Sequence, residues 1–443
     1  MPARPDDGVA RHGVTLASAL VSAKRRYFGT DGVRGVVGRD LTTDLVERLG
    51  RAATLWAGGD DVLIGRDTRG SGPELEAAFV RGVVSAGGRA LLAGVLPTPA
   101  VPLLADGALG VVVSASHNPP EYNGVKLFDP GGSKLADEQE EEIEALLNVP
   151  GPGGGSVERL EGAAERYLEH VLVDAPLLRG LRIGVDCANG AFSGIAPDAF
   201  RRLGAEVHAV CDEPDGTNIN VGCGATDLGR LSGDVVDRSL DFGVAFDGDG
   251  DRMLAVGPDG EAIDGDGILA IIALDRAVAL VAVTEMTNLG FHHLMAEHGI
   301  RVVTTKVGDR YVLEALRREG GVLGGEQSGH IIVLDRQVTG DGLVAALLFC
   351  AAAQKRPLTE LAGLIQRLPQ VRENVPAGSR RELSPTLVEE VERINAELGG
   401  SGRVLVRASG TEPVVRVLVE APTRVTAEKL SGILVALVTR ELG

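Results

Sequence analysis

Apolar and polar residues alternate along the chain in a pattern that occurs three times. Each copy has an apolar strand, an amphipathic helix, a glycine-marked turn and a second apolar strand, and the first strands start at Val62, Arg182 and Val281. The starts are about 100 to 120 residues apart, which is the size of a domain. This spacing predicts three related α/β domains, although βαβ is so common a unit that coincidence is the alternative.

The C-terminal part of the chain follows a different pattern. A charged helix is predicted from Ser384 to Leu398, two strands at Arg403–Arg407 and Val414–Glu420, and an amphipathic helix after Thr423. A short Ser/Gly loop joins the two strands, which favours an antiparallel hairpin. We therefore expect a smaller α+β domain here.

Two stretches bear on domain boundaries and on membrane insertion. The Gly/Pro-rich run from Pro150 to Ser156 follows an acidic helix and is typical of a linker that closes the first domain. The longest uncharged apolar run, Leu343–Ala353, has 11 residues. A bilayer span needs about 20, so we expect a buried helix instead. The N-terminal apolar stretch Val14–Val21 is too diluted by polar residues to be a signal peptide.

Composition and charge exclude several kinds of partner. The chain has 443 residues with 62 acidic and 44 basic side chains, a net charge of −18, and only 1 Trp, 4 Tyr and 9 Phe. These values argue against a nucleic-acid surface and against binding to an anionic membrane. The 4 cysteines form no Cys-x-x-Cys pair and no zinc spacing, so we expect reduced thiols and a cytoplasmic protein.

Common nucleotide-binding and hydrolase motifs are missing from the sequence. It has no Gly-x4-Gly-Lys-Ser/Thr loop and no Gly-x-Gly-x-x-Gly that opens a helix after a strand. It also lacks a Gly-x-Ser-x-Gly elbow and a His-Glu-x-x-His helix. The candidate chemistry therefore has to come from other polar runs.

One such run directly follows an apolar strand that begins at Gly110. The residues Ser114–Pro119 include two hydroxyls, an imidazole and an amide. Residues that follow a strand lie at the rim of a sheet, where functional groups are placed, although a plain Ser/Asn turn is the alternative. Lys126 returns towards the same rim, where it could act on a hydroxyl or a phosphate or remain a solvated surface lysine.

The sharpest signal is the run Asp247–Arg252, which follows the apolar strand Phe242–Phe246. Three carboxylates at alternate positions, separated by glycines, can surround one hard cation. A calcium-binding EF-hand loop is excluded because its positions 6 and 12 would hold Arg252 and Pro258. The pattern favours a Mg²⁺ site for phosphoryl transfer over an acidic surface turn.

Three further polar runs stand out. In Asp264–Gly267 we predict a structural role, with Asp266 as the N-cap of the apolar helix that follows. The run Gly324–His330 offers donors and acceptors suited to sugar hydroxyls, or else forms a hairpin turn. The run Arg407–Pro413, with Arg416 beyond it, could clamp a phosphate or form a Ser/Gly turn with two surface arginines.

The chain resembles the α-D-phosphohexomutase superfamily over essentially its whole length. The resemblance rests on four motifs in this order: Ser116, the aspartate run, Gly324–His330 and Arg407–Pro413. Phe28–Gly35, together with the Glu-Gln-Ser run, is similar in particular to the branch that acts on glucosamine phosphate. The resemblance implies three related α/β domains with mixed sheets and a smaller C-terminal α+β domain around a central cleft. The implied bounds are an N-terminal extension over 1–26 and domains over 27–152, 157–259, 260–368 and 369–443.

The resemblance also implies roles for the matching residues. Ser116 would carry the phosphate, Lys126 would be the acid/base, and one Mg²⁺ per chain would be held by Ser116 and the three aspartates. The metal ligands are then Ser116, Asp247, Asp249 and Asp251, and the remaining catalytic residues are Arg34, His117, Arg252 and His330. The implied substrate contacts are Lys306, Gly308, Asp309, Arg310, Glu326, Ser328, Arg407, Ser409, Gly410, Thr411 and Arg416.

The reaction implied by the resemblance transfers a phosphoryl group from the serine to O1 of glucosamine 6-phosphate. The resulting 1,6-bisphosphate returns its C6 phosphate to the serine, and glucosamine or glucose 1,6-bisphosphate serves as primer. The product would feed UDP-N-acetylglucosamine and peptidoglycan synthesis in the cytoplasm, without nucleic-acid or membrane partners and with a homodimer left open. Glucose or mannose phosphate is the alternative substrate. A sugar-phosphate sensor and a Mg²⁺-dependent phosphatase are the alternative functions.

Overall fold

The computed structural model describes residues 25–29, 31–377, 383–408 and 413–442. The predicted N-terminal extension lies outside this range apart from its last two residues. Within the range, four sheets of seven, five, four and three strands follow one another along the chain. We call these sheets, with their helices, the first to fourth units. The expected fold class, α/β with a smaller C-terminal α+β unit, is confirmed.

The first unit has a mixed sheet of order β1-β2-β6-β5-β3-β4-β7. Its strands are β1 (Phe28–Gly29), β2 (Gly32–Val36), β3 (Asp61–Arg66), β4 (Arg89–Val95), β5 (Leu109–Val113), β6 (Tyr122–Phe128) and β7 (Ser156–Arg159). Its helices are α1 (Thr43–Trp56), α2 (Gly72–Ser85), α3 (Ala100–Ala105) and α4 (Asp137–Leu146).

The Gly/Pro-rich run does not end the first sheet. Strand β7 follows the run and pairs in parallel with β4. Gly155 allows this approach, because a Cβ at that position would lie 2.2 Å from the carbonyl oxygen of Gly88. The first sheet therefore extends past residue 152, where the sequence suggested a domain end, and the domain bounds stay predictions.

The second and third units follow. The second contains α5 (Ala163–Val171), β8 (Arg182–Asp186), α6 (Ile195–Arg202), β9 (Glu206–Val210), α7 (Gly229–Asp237), β10 (Phe242–Phe246), β11 (Met253–Val256) and β12 (Ala262–Ile263). The third contains α8 (Gly265–Asp275), β13 (Leu280–Thr284), α9 (Leu289–Glu297), β14 (Arg301–Thr305), α10 (Asp309–Glu319), β15 (Leu323–Gly325), β16 (Ile331–Val333), α11 (Gly342–Lys355) and α12 (Leu358–Ala362).

The predicted threefold repeat is confirmed in the strand pairing. Each of the first three sheets contains three parallel strands and a fourth antiparallel one: β4-β3-β5-β6, β9-β8-β10-β11 and β14-β13-β15-β16. The third parallel strand of each set is joined to the antiparallel strand by a polar loop. These three loops are the Ser116 run, the aspartate run and the Glu-Gln-Ser run, so equivalent positions of the repeat carry the candidate chemistry.

The fourth unit is a three-stranded antiparallel sheet of order β17-β19-β18. Its elements are β17 (Gln370–Pro376), α13 (Pro385–Leu398), β18 (Arg403–Ala408), β19 (Val414–Glu420) and α14 (Arg424–Leu442). The predicted hairpin of β18 and β19 is confirmed. Strand β17 was not predicted, because its charged sequence has buried valines only at every fourth position.

The packing joins the first three units and sets the fourth apart. One apolar cluster contains side chains from the first, second and third units, the first unit has a second large cluster, and the fourth unit has a core of its own. The predicted apolar helix is α11, which is buried against α8. No helix in the described part of the chain combines the length and apolar character needed to cross a membrane.

The predicted N-cap of α8 is wrong. The helix begins at Gly265, and Asp264 is the cap, since its side chain accepts a hydrogen bond from the amide of Gly267. Asp266 lies in the first turn, fully buried, and accepts a hydrogen bond from the amide of Asn288 at 2.9 Å.

Candidate active site

Ser116 lies in the loop between β5 and β6, in a turn that buried side chains hold in place. Its φ is 52°, a left-handed conformation that residues other than glycine rarely adopt. The hydroxyl of Ser114 accepts a hydrogen bond from the amide of Ser116 at 2.9 Å and donates to the carboxylate of Asp67 at 2.6 Å. Asp67 follows β3, the neighbouring parallel strand, so two strand ends together fix the position of the serine.

The carbonyl groups of the same turn are also held by side chains. Arg69 is fully buried and paired with Asp67 at 2.9 Å, and it donates to the carbonyls of Ser116 and Asn118 at 2.9 and 2.8 Å. Asn220, from the second unit, donates to the same two carbonyls at 2.9 and 3.1 Å. The turn is therefore fixed from both the first and the second unit.

The three aspartates of the second unit lie together beside this turn. All three are buried, and one oxygen of each lies within 4.8 Å of the others. The hydroxyl of Ser116 donates to Asp247 at 2.6 Å, so the predicted phosphate carrier and the predicted metal loop meet. Burial, and then the charges of Asp251 and Asp249, raise the pKa of Asp247. A cation would relieve this repulsion.

Two oxygens of the aspartate cluster lack a hydrogen-bond donor. Within the described ranges, Oδ1 of Asp249 and Oδ1 of Asp251 are buried and have no hydrogen-bond partner. Carboxylate oxygens are the ligands that hard divalent cations prefer. The cluster can therefore hold a metal ion next to the hydroxyl of Ser116.

Lys126 supplies a positive charge to the same cluster. It is buried on β6, and its Nζ lies 2.6 Å from Asp249, 3.0 Å from Asp251 and 3.4 Å from Asp31. Burial by itself would lower the pKa of Lys126, but the three carboxylates outweigh burial and raise it above its ordinary value. Lys126 is thus held as an ammonium group that can donate hydrogen bonds.

From Asp31 the charged network continues into the third unit. The Nζ of Lys134 lies 2.5 Å from Asp31 and 2.7 Å from Asp309. His330 lies 3.3 Å from Asp309 through Nε2 and 3.7 Å from Asp251 through Nδ1. Burial would lower the pKa of His330, but Asp251 and Asp309 raise it. Alternating charges therefore connect the first three units at the cleft.

The remaining predicted catalytic residues surround the cluster. The imidazole of His117 lies 3.3 Å from the neighbouring serine hydroxyl, and burial, followed by the charges of Arg252 and Arg34, lowers its pKa to about 4. The amide of Arg252 donates to Asp247 at 3.1 Å, and Arg34 forms an ion pair with Asp31. The structure thus brings all six predicted catalytic residues together. His117 is neutral at neutral pH.

Two loops that were predicted to recognise the sugar contact each other. Glu326, between β15 and β16, accepts a hydrogen bond from the amide of Gly308 at 3.1 Å. The hydroxyl of Ser328 is buried and lacks a hydrogen-bond partner within the residues that the structure describes. Arg310 donates to Asp137 of the first unit at 2.6 Å, so this loop also touches α4.

The predicted phosphate clamp lies near the loop of residues 306–310, whose Lys306 is exposed. Arg407 on β18 and Arg416 on β19 are directly opposite each other in the antiparallel pair. Arg407 lies 3.2 Å from Glu285, where the fourth unit meets the third. Val307 of this loop lines both this cleft and a second one that is lined by Lys126 and Asp31. Three predicted clamp residues lie outside the described residues: Ser409, Gly410 and Thr411.

Several residues of the site were not assigned a role from the sequence. Asp67 and Arg69 follow a buried parallel strand, so the rule that singled out Ser116 would have found them. Lys134 and Asn220 carry no local signal, because their partners are 103 and 104 residues away in the sequence. Such contacts become visible only when the units pack together.

Comparison with known protein families agrees with this architecture. Four models of the phosphoglucomutase/phosphomannomutase family match consecutive parts of the chain: α/β/α domain I at residues 25–150, α/β/α domain II at 165–260, α/β/α domain III at 264–370 and the C-terminal domain at 353–436. The matches follow the order of the four units.

Individual relatives cover nearly the whole chain. A protein named phosphoglucosamine mutase from Moorella thermoacetica is 49% identical over 93% of this chain and 98% of its own length. A phosphoglucomutase/phosphomannomutase family protein from Burkholderia thailandensis has a crystal structure that matches with a TM-score of 0.81 at 27% identity, covering 94% of this chain and 97% of that one. The N-acetylphosphoglucosamine mutase of Aspergillus fumigatus, solved with GlcNAc-6P and magnesium, shares the fold with a TM-score of 0.66 at 19% identity, covering 94% and 96%.

The chain therefore belongs to the phosphoglucomutase/phosphomannomutase family. Within that family, the Moorella relative and a second one from Thermobifida fusca, 48% identical to this chain over 94% of it and 99% of its own length, are both named phosphoglucosamine mutase.

Proposed function

We propose that the chain catalyses the phosphoglucosamine mutase reaction, the interconversion of glucosamine 6-phosphate and glucosamine 1-phosphate. Ser116 carries the transferred phosphoryl group, and a 1,6-bisphosphate is the intermediate and primer. The observation that carries this proposal is the serine hydroxyl 2.6 Å from Asp247, inside a buried cluster of three aspartates and one lysine. The amino sugar is favoured over glucose or mannose by the names of the relatives.

The chain's own residues can supply what phosphoryl transfer needs, which is positioning and charge stabilisation. The rigid turn presents the hydroxyl of Ser116 towards the cluster, and the neutral imidazole of His117 lies beside it. Arg34 and Arg252 place guanidinium groups near the same point, where they would attract the three phosphoryl oxygens. Lys126 lies where a proton can pass between the sugar hydroxyl and the protein.

We assign the aspartate cluster to one Mg²⁺ per chain. Asp247, Asp249 and Asp251 would hold the ion together with an oxygen of phosphorylated Ser116. The Oδ1 atoms of Asp249 and Asp251, which accept no hydrogen bond in the described part of the chain, suit it, and the fungal relative was solved with magnesium. When bound, the ion would polarise the phosphoryl group and neutralise its charge. The same carboxylates contact Lys126, so the ammonium and the cation share them.

The two ends of the substrate require two separate sets of contacts. Glu326 and Ser328 offer polar groups to the sugar hydroxyls, and Arg407 and Arg416 offer a cationic pair to the phosphate that does not react. Because each phosphate takes both places in turn, the sugar must bind in two orientations. We propose that Lys306, Gly308, Asp309, Arg310, Ser409, Gly410 and Thr411 complete these contacts.

The direct test is the conversion of glucosamine 6-phosphate by the purified protein with Mg²⁺ and a bisphosphate primer, compared with glucose 6-phosphate and mannose 6-phosphate. We expect the amino sugar to turn over fastest. A preference for glucose or mannose phosphate would overturn the substrate, and inorganic phosphate without isomerisation would indicate a phosphatase. Binding of sugar phosphate without any turnover would indicate a sensor.

A serine substitution tests the mechanism. Ser116→Ala should abolish turnover and incorporation of phosphate into the protein, because no other hydroxyl contacts Asp247 in the described part of the chain. Ser85→Ala is the matched control, since Ser85 ends α2 and its hydroxyl donates only to the Gly82 carbonyl. An undiminished rate in Ser116→Ala would place the phosphate carrier elsewhere.

A further inference from the structure

A pair of cysteines lies at the two ends of a loop that contacts the Ser116 turn. The pair has no part in the proposed reaction. Cys211 directly follows β9, and Cys223 precedes a 3₁₀ turn at Gly224–Thr226. Their sulfur atoms and a carboxylate oxygen of Asp186 all lie within 4.8 Å of one another. Cys211 is partly exposed and Cys223 is fully buried.

The surroundings favour a reactive thiol at Cys211. The guanidinium of Arg230 lies 3.3 Å from its sulfur and would stabilise a thiolate. The neighbouring thiol of Cys223, and then Arg230, lower the pKa of Cys211, although burial and the charge of Asp186 oppose them. A partly exposed, activated thiol next to a second, buried one is the arrangement of an attacking and a resolving cysteine.

The same surroundings disfavour a metal ion at this cluster. Both carboxylate oxygens of Asp186 already accept backbone hydrogen bonds, from Ala188 at 2.9 Å and from Gly224 at 2.8 Å. Arg230 places a positive charge against Cys211, where a metal cation would have to bind. The cluster is therefore better suited to thiol chemistry than to metal binding.

We propose that Cys211 and Cys223 are a peroxide-sensitive thiol pair, and that their disulfide restrains the loop that holds the Ser116 turn. The loop between the two cysteines contains Asn220, whose amide donates to the carbonyls of Ser116 and Asn118. Its Gly216 accepts a hydrogen bond from the amide of Gly70 in the first unit at 2.7 Å. A disulfide would thus close the ends of a loop that touches the active site.

The oxidation balances with hydrogen peroxide as the oxidant. The thiolate of Cys211 attacks one peroxide oxygen, the O–O bond breaks, and hydroxide departs. Cys211 is then a sulfenic acid. The sulfur of Cys223 then attacks the sulfur of Cys211, the S–O bond breaks, and the hydroxyl leaves as water with the thiol proton of Cys223. Overall, two thiols lose two electrons and two protons, and peroxide is reduced to two waters.

Forming the disulfide must move the loop. The two sulfur atoms, which lie within 4.8 Å of each other, have to approach to about 2.05 Å. Phosphoryl transfer depends strongly on position, and a displacement of about 1 Å at a reacting group can cost about 100-fold in rate. We therefore expect oxidation to slow mutase turnover at least several-fold and dithiothreitol to restore it. This activity readout rests on the proposed function, whereas the formation of the disulfide does not.

The test uses the reduced full-length protein and a small excess of hydrogen peroxide, followed by unfolding in denaturant, alkylation of the remaining thiols and mass spectrometry. We expect a loss of about 2 Da, two alkylated cysteines instead of four, and a peptide cross-linked between Cys211 and Cys223. The variant Cys211→Ser should show no cross-link. The matched control Cys350→Ala, at a buried thiol of α11, should still form it.

Three results would overturn the inference. One is Cys211 oxidised to a sulfinic acid without a cross-link, and another is a cross-link from Cys211 to Cys187. The third is a one-to-one Zn²⁺ complex at these thiols that persists in peroxide, which would make the cluster a metal site. If the expected cross-link forms but turnover is unchanged, the effect on the Ser116 turn is refuted. If the reduced protein has no turnover at all, the proposed function fails while the cross-link result stands.

Discussion

The variant Lys134→Met removes the ammonium group that joins the first and third units at the cleft. Its Nζ lies 2.5 Å from Asp31 and 2.7 Å from Asp309, and the side chain is only 17% exposed. Without it, the partly buried carboxylates of Asp31 and Asp309 would lose the cation that they share. Asp31 would keep its contacts with Arg34 and Lys126, and Asp309 its contact with His330. The variant therefore tests whether this network holds the cleft together.

The expected size of the effect follows from burial and distance. At an effective dielectric constant of about 20, two unit charges 4 Å apart attract by about 4 kcal/mol, and the contacts of Lys134 are shorter. The cost of burying the charges offsets much of this attraction. Removing one partner of a fully buried ion pair costs about 3–5 kcal/mol. Because Asp31 and Asp309 are partly exposed and keep other cationic contacts, we expect a cost at the lower end of this range.

Amide hydrogen exchange, followed by mass spectrometry, measures how readily the first and third units separate at the cleft. If the contact between the units weakens by about 3 kcal/mol, protection of the amides at Gly308 and Asp309 should fall by about 100-fold. The matched control is Lys355→Met, because Lys355 is 62% exposed and its pair with Asp275 at 2.8 Å is a surface ion pair. Such pairs contribute about 0–1 kcal/mol, so exchange should barely change.

A second variant keeps the prediction falsifiable. In Lys134→Met with Asp309→Asn, the repulsion between Asp31 and the negative charge at position 309 is removed, so protection should recover in part. Equal protection in Lys134→Met, Lys355→Met and the unmodified protein would refute the reasoning. So would a double variant that exchanges faster than Lys134→Met.

Three further predictions concern charge and hydrogen bonding elsewhere in the protein. Lys126→Met removes the cation that competes for Asp249, so Mg²⁺ should bind at least about tenfold more tightly in isothermal titration; weaker binding would contradict this. Burial raises the pKa of Asp266 to about 7, so the folded protein keeps a proton that the unfolded chain releases. The contribution of Asp266 to the free energy of unfolding should therefore fall as pH rises from about 4 to about 7, and Asp266→Asn should remove this part of the pH dependence in urea titrations. Tyr167→Phe removes the donor to Asp341 at 2.9 Å between two buried groups, which should cost about 1–3 kcal/mol and lower the thermal midpoint; an unchanged midpoint would show that the bond contributes nothing.

Much of the local structure and part of the site could be predicted from the sequence. The strands Arg182–Asp186 and Phe242–Phe246 have the bounds that the apolar runs predicted, and the polar residues that follow such strands supplied Ser116 and the three aspartates. The reason is local: an apolar run ends where the strand leaves the core, and the next residues lie at the sheet rim. The N-cap of α8 was misplaced because Asp264 and Asp266 are both plausible caps until the start of the helix is known.

The sequence alone thus determined the element order, the repeat and the residues that carry chemistry. Only the tertiary structure decided which side chains contact those residues and balance their charges. It brings Lys134 between two units, adds β7 to the first sheet, and places Asn220 on the Ser116 turn. These contacts join residues far apart in the chain, and no sequence pattern predicts the partner of a single lysine or asparagine. Their geometry, and with it the charge balance of the site, arises only when the three repeated sheets pack around one cleft.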